Sequence, residues 1–123
     1  RQRQMCIRDS SMNDNDFFVV SYKILSYLKY CYENDKRVDP TILSEGMLSI
    51  SNNQFLKTLK MLIDQGYIDG VYVKQTLDGM FVLNNRSKAA ITMSGLDYLK
   101  NDRSMKEAFE QLGPVQKWLP IIK

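Results

Sequence analysis

Between Ser51 and Leu83 the spacing of apolar residues changes from a helical period to alternation, and this change limits what the chain can fold into. Phe55, Leu59, Leu62 and Ile63 recur at intervals of four, three and one, which sets them on one side of a helix with about 3.6 residues per turn. Ser51-Asn-Asn-Gln54 opens that helix as a capping box, in which the serine hydroxyl accepts a backbone N–H and the glutamine reaches back. Gln65-Gly66-Tyr67 stops it. Ile68-Asp-Gly-Val-Tyr-Val-Lys74 then alternates with β-branched and aromatic residues, Asp78-Gly79 is a turn signal, and Met80-Phe-Val-Leu83 reads as the returning strand. A helix running straight into a β-hairpin is the constraint that the rest of the chain has to meet.

Upstream, Asp14 or Asn13 is expected to cap a helix from about Asp16 to Tyr32. Phe17, Val20, Ile24, Leu28 and Cys31 fall within about 60° of one direction on its wheel and form a core stripe. The opposite side carries Val19, Tyr22, Ser26 and Tyr30 beside Lys23 and Lys29, more aromatic than a solvated face needs, so something is expected to cover it. Asp39-Pro40 starts a short helix to about Glu45, stopped by Gly46, and Met47 to Ser51 is a tight connection. Downstream, Ala89-Ala-Ile-Thr92 reads as a third short strand, and Thr92 caps a helix containing Leu96, Tyr98 and Leu99. Ser104-Met-Lys-Glu107 is a second capping box, expected to open a further helix that breaks at Gly113-Pro114. The ending Val115 to Ile122 is apolar enough to need burial, and the outer face of the first helix is the nearest surface for it.

The first eleven residues follow none of this logic: Arg-Gln-Arg-Gln-Met-Cys-Ile-Arg-Asp-Ser-Ser has no apolar period and no cap. Arg3 to Ser10 looks like the transposase end sequence of sequencing-library adapters read through in one frame. Met12, followed at once by a helix start, is the expected native beginning. Residues 1–11 are therefore expected to be a disordered, non-native extension, and residues 12–123 one domain with a C-terminal helical extension over about 93–123. Without the extension, three arginines and one aspartate disappear and the formal charge falls from +3 to +1.

Cys6 goes with that extension, which leaves Cys31 as a small core residue with no partner for a disulfide. The chain has no histidine, so zinc ligand sets and histidine general bases are excluded, and no metal or cofactor is expected. The longest apolar runs fall far short of the about 18 residues that span a bilayer, and no secretory signal pattern occurs, so the expected compartment is the cytoplasm. No Gly-rich phosphate loop, nucleophile with a base, or paired carboxylates at helical spacing suggests an enzyme.

Helix, short helix, helix and hairpin, followed by additional C-terminal helices, make the outline of an α+β winged helix-turn-helix. Ile50-Ser-Asn-Asn-Gln-Phe55, Leu62-Ile-Asp-Gln-Gly-Tyr-Ile-Asp-Gly70 and Ile91-Thr-Met-Ser-Gly-Leu-Asp-Tyr-Leu-Lys-Asn-Asp102 resemble the YjcQ family of small bacterial and phage-borne proteins. The Ile-Thr-x-x-Gly-x-x-Tyr-Leu block is the most characteristic part of that likeness. The resemblance implies a winged-helix fold and brings no catalytic residues with it.

In such a module the helix after the turn is offered to the DNA major groove and the hairpin to the backbone. The outer side of the Ser51 to Gln65 helix presents Asn53, Lys57, Lys60 and Asp64, flanked by Gln54 and Met61. Asn and Gln pair with adenine and Lys reaches guanine or phosphate, although any amphipathic helix has a polar face and Asp64 would repel phosphate. The wing contributes Lys74, Arg86 and Lys88, which suit phosphate contacts or plain solvation. Two functions follow as expectations: a regulator binding double-stranded DNA, or a protein-interaction module without DNA binding. Tyr22, Tyr30 and the Val115 to Ile122 tail are a candidate homodimer interface, or else pack on each other within one chain, which the needs of a small core favour.

Overall fold

Helix α1 (Phe17–Glu33) is apolar on more than one side, and the architecture follows from covering it. The computed structural model describes residues 16–39, 42–43, 50–84 and 88–113. Around α1 are placed helices α2 (Asn52–Asp64), α3 (Met93–Asn101) and α4 (Arg103–Leu112). Between α2 and α3 run four short strands: β1 (Ile68–Asp69), β2 (Tyr72–Gln75), β3 (Phe81–Asn84) and β4 (Ala90–Ile91). The described chain is thus α+β, with two two-stranded antiparallel sheets, β1 with β4 and β2 with β3.

The expected stripe of α1 is in the core, and so is its other side: Val19, Tyr22 and Ser26 are buried beside Val20, Ile24, Leu28 and Cys31. The cover comes from α3, α4 and β4, while α2 packs against α1 elsewhere. Ser26 tolerates burial because its hydroxyl donates to the Tyr22 carbonyl one turn back, at 2.6 Å. Tyr27, also buried, accepts the Asp39 N–H at 2.9 Å on its hydroxyl and so ties the chain after α1 to the helix.

The ends of α1 differ from expectation in detail. Asp16 itself is the N-cap: its backbone is extended and its carboxylate accepts the Phe18 N–H at 2.8 Å, so the expected caps Asp14 and Asn13, which lie outside the described residues, are not needed. At the other end Asp35 takes a left-handed conformation (φ 53°), and Lys36 N–H reaches the Cys31 carbonyl at 2.8 Å, closing the helix by a Schellman arrangement. The short helix expected over Pro40 to Glu45 falls largely outside the described residues. Ile42 and Leu43 are described, are buried, and both donate their N–H to the Asp39 carbonyl at 3.0 Å.

The expected strand from Ile68 to Lys74 is two strands. Gly70 divides it with a φ of 83°, and a Cβ there would stand 2.2 Å from the Lys88 carbonyl oxygen. The bend sends β1 to pair with β4, Ile68 opposite Ile91, while β2 pairs with β3. That second pairing sets Val73 opposite Leu83, both against the core, and Lys74 opposite Val82 on the outer side. The Asp78-Gly79 turn forms as read, held by Thr76, whose N–H reaches the Met80 carbonyl at 2.7 Å and whose hydroxyl donates to the Asp78 carboxylate. The third short strand appears as β4.

Thr92 caps α3 as expected. The capping box assigned to Ser104 does not open α4. Asp102 closes α3 and opens α4 with one extended residue, its carboxylate accepting the N–H of Ser104 at 2.9 Å and of Met105 at 3.3 Å. Ser104 therefore lies inside the first turn, because a carboxylate two residues earlier can take the orphan amides.

Candidate nucleic-acid interface

The side of α2 that faces inward explains the side that faces outward. Phe55 and Leu59 are fully buried and Leu56, Thr58 and Leu62 nearly so, which fixes the helix against α1 and the β2–β3 hairpin. Each such apolar side chain contributes roughly 1.5–3 kcal/mol on burial. With that stripe inside, Asn52, Asn53, Lys57, Met61 and Asp64 stand in solvent, and Gln54 and Lys60 are half-buried. At the N-terminus the Ser51 hydroxyl accepts the Gln54 N–H at 3.1 Å, which is the serine half of the expected capping box.

Asp64 does not oppose the lysines as a lone anion. The Lys60 ammonium lies 2.9 Å from its carboxylate, an exposed i,i+4 pair worth a few tenths of a kcal/mol. Lys57 stands exposed about one turn before Lys60 on the same side. The helix thus offers two asparagines and Lys57 together, with Lys60 held toward Asp64.

The hairpin is less cationic than its sequence suggests. Lys74 is exposed on β2, its ammonium 5.6 Å from the Tyr72 ring centroid, and Lys88 is exposed just before β4 rather than at the tip. Arg86 lies outside the described residues. The tip carries Leu77, which is fully exposed, and Met80, with Tyr72 and Val82 exposed along the strands. Asp78 is also there, its carboxyl held below its ordinary value by the Thr76 hydroxyl and then by backbone amides. Sequence reasoning passed over this apolar tip, although alternation from Tyr72 through Lys74 and the partner Val82 contained the signal.

A second region gathers the most distinctive sequence block. Thr92 accepts the Gly95 N–H at 3.0 Å, donates its hydroxyl to the Gly66 carbonyl, and its own N–H reaches the Tyr67 carbonyl at 3.0 Å. Gly95 lets α3 lie against that turn: a Cβ there would be 2.3 Å from the Tyr67 carbonyl oxygen. Tyr98 then stacks on Tyr67, ring centroids 4.4 Å apart and planes 14° from parallel. Burial, then the Asp102 charge, pushes the Tyr98 hydroxyl up to about 12. Two blocks far apart in the chain, Gly66-Tyr67-Ile68 and Ile91 to Leu99, thus form one joint.

Tyr22, one of the residues expected to face a second copy, is 4% exposed. Its ring meets Phe109 edge-on at 6.5 Å and its hydroxyl donates to the Gly113 carbonyl at 2.8 Å, so its own chain occupies it. Tyr30 is half-buried, and the Val115 to Ile122 tail lies outside the described residues. Cys31 is in the core, its thiol pushed up by burial. Among the described residues no group of three or more His, Cys, Asp or Glu could hold a metal ion. No helix among them is long and apolar enough to cross a membrane.

These features define a small α+β protein with one exposed polar helix face beside a hairpin, and with an internal joint built from its most distinctive residues. The family model described as YjcQ protein matches residues 22–118, and the chain belongs to that family. No curated protein and no solved structure matches the chain.

Proposed function

We propose that this chain is a winged helix-turn-helix protein that binds double-stranded DNA, a non-enzymatic transcriptional regulator of bacterial or phage origin acting in the cytoplasm. The observation that carries the reading is the outer face of α2: Asn53 and Lys57 project from a helix fixed by Phe55 and Leu59, with Gln54 and Lys60 at its margins. A rigidly seated helix with amide and ammonium groups outward suits the major groove. Lys74 and Lys88 are the backbone contacts of the described hairpin region, and Arg86 is the third cation assigned to it.

The test is DNA affinity measured against salt concentration for the full chain and for Lys57→Ala with Lys60→Ala. The double variant is expected to weaken binding across sequences and to lower the salt slope by about one per lost phosphate contact. Unchanged affinity and slope would rule out this docking mode.

A second reading has its own observation. Tyr72, Leu77, Met80 and Val82 leave an exposed apolar strip on the hairpin, which favours a protein-interaction module without DNA binding. Absence of DNA binding at low salt, with loss of self-association in Leu77→Ser, would move the assignment there.

A further inference from the structure

A groove of about 720 Å³ runs between α1, α3 and α4, lined by Tyr22, Tyr30, Leu96, Leu99 and Phe109, with Lys100 among its polar rim residues. Its walls are incompletely covered: Tyr30, Leu96 and Leu99 are half-buried and Phe109 is 50% exposed. The volume is that of a site for a drug-sized molecule, and so has room for an indole with aliphatic neighbours. We propose that this groove is the seat of the chain's own residues 114–122, with Trp118 as the anchor.

Three observations choose this occupant. The described chain arrives at the groove's edge, because Gly113 is held there by the Tyr22 hydroxyl at 2.8 Å. The residues that follow, Pro-Val-Gln-Lys-Trp-Leu-Pro-Ile-Ile, are mostly apolar and match the groove's apolar wall, while its polar rim of Lys29, Glu33 and Lys100 offers Gln116 and Lys117 polar neighbours. Reach is sufficient: α1 rises about 1.5 Å per residue, so its stretch from Tyr22 to Tyr30 is about 12 Å, which four or five extended residues cover. A tethered segment also meets its groove at an effective concentration on the order of millimolar, which outcompetes a second copy at ordinary protein concentrations. Burying one indole removes roughly 150–250 Å² from water.

The chain has a single tryptophan, so its fluorescence reports the seat directly. In the full chain, Trp118 emission is expected to be blue-shifted and several-fold less quenched by iodide than in the urea-unfolded chain, and to be unchanged by dilution. Leu96→Arg and Phe109→Arg, each placing a charge in the groove, are expected to restore red emission and quenching while helical circular dichroism is retained. Three results overturn the proposal. Solvent-exposed emission in the unaltered chain leaves the tail unseated. Blue emission untouched by both variants, folded by circular dichroism, buries Trp118 elsewhere. Blue emission that is lost on dilution, with a dimer mass by light scattering, makes the occupant another copy's tail.

Discussion

The joint between Gly66-Tyr67-Ile68 and Ile91 to Leu99 and the outer surface of α2 with its hairpin are built on opposite terms. In the joint, backbone carbonyls, a threonine hydroxyl, a glycine without a side chain and two stacked rings are all committed to one another. On the surface, Asn53, Lys57, Leu77 and Met80 stand in solvent. The most distinctive residues of this chain therefore fix geometry, and the residues able to recognise anything are the less distinctive ones. A likeness carried by the joint speaks for the fold and leaves the partner to be decided by the surface.

Substitutions at close contacts of the frame are expected to cost stability, and substitutions on the surface are not. The largest effect is expected at Gly70, the bend that separates the two sheets. An alanine there meets a left-handed φ of 83° and the Lys88 carbonyl oxygen at 2.2 Å. Backbone strain of about 1–2 kcal/mol adds to an overpacking cost of about 1–3 kcal/mol. Gly70→Ala should lower the urea unfolding free energy by roughly 2–5 kcal/mol, and Gly95→Ala, whose Cβ meets the Tyr67 carbonyl at 2.3 Å without a left-handed φ, by somewhat less. Either variant at full stability would mean that the contact is not there in solution.

Thr92 comes next, since it caps α3 and bonds across to Gly66 with one hydroxyl. Thr92→Val removes both at nearly constant shape. Losing the cap costs about 1 kcal/mol and leaving a partner unpaired about another 1 kcal/mol. Thr92→Ser keeps the hydroxyl and should recover most of the loss in the same unfolding measurement. Equal losses in the two variants would show that the methyl group, not the hydroxyl, carries the effect.

Much of the frame was legible in the sequence because its signals are local. Thr92 as a cap, the Asp78-Gly79 turn, the strand at Ala90 and the period of α2 each need only a few neighbouring residues. What was not legible depends on residues distant in sequence. Nothing near Gly70 says that Lys88 will press on it and split the strand, and nothing near Tyr22 says that Phe109 and Gly113 will cover it. Two capping signals misled for a different reason: an aspartate at another position, Asp16 after the expected caps and Asp102 before Ser104, set the helix start and took the amides of its first turn. Of the candidate site, the α2 face was readable as one stripe, while the Lys60–Asp64 pair and the apolar hairpin tip follow from side-chain positions.

Tyr98 gives a smaller effect with a defined pH window. Its hydroxyl is pushed up from 10.0 to about 12, so the folded chain holds this proton more tightly than the unfolded chain does. The stabilisation is complete below about pH 10 and is lost as pH rises toward 12. Burial also raises Cys31 and Tyr27, whose own declines begin near pH 9 and pH 10 and so overlap this window. Tyr98→Phe keeps the stack on Tyr67 but has no proton to lose. Its urea midpoint should therefore decline less steeply than the unaltered chain's between pH 10 and 12, and parallel curves would remove Tyr98 from the account.

The smallest change in stability is expected on the surface, where a near-zero result is informative. Leu77 is fully exposed at the hairpin tip and Lys57 stands in solvent on α2, so Leu77→Ser and Lys57→Ala remove no buried area. Both should unfold within about 0.5 kcal/mol of the unaltered chain. A loss beyond about 1 kcal/mol in Leu77→Ser would mean that the tip is covered in solution, because an exposed leucine has little burial to lose. The two variants part company in binding. Lys57→Ala should reduce salt-dependent DNA affinity, whereas an effect confined to Leu77→Ser would move recognition from the helix to the apolar hairpin.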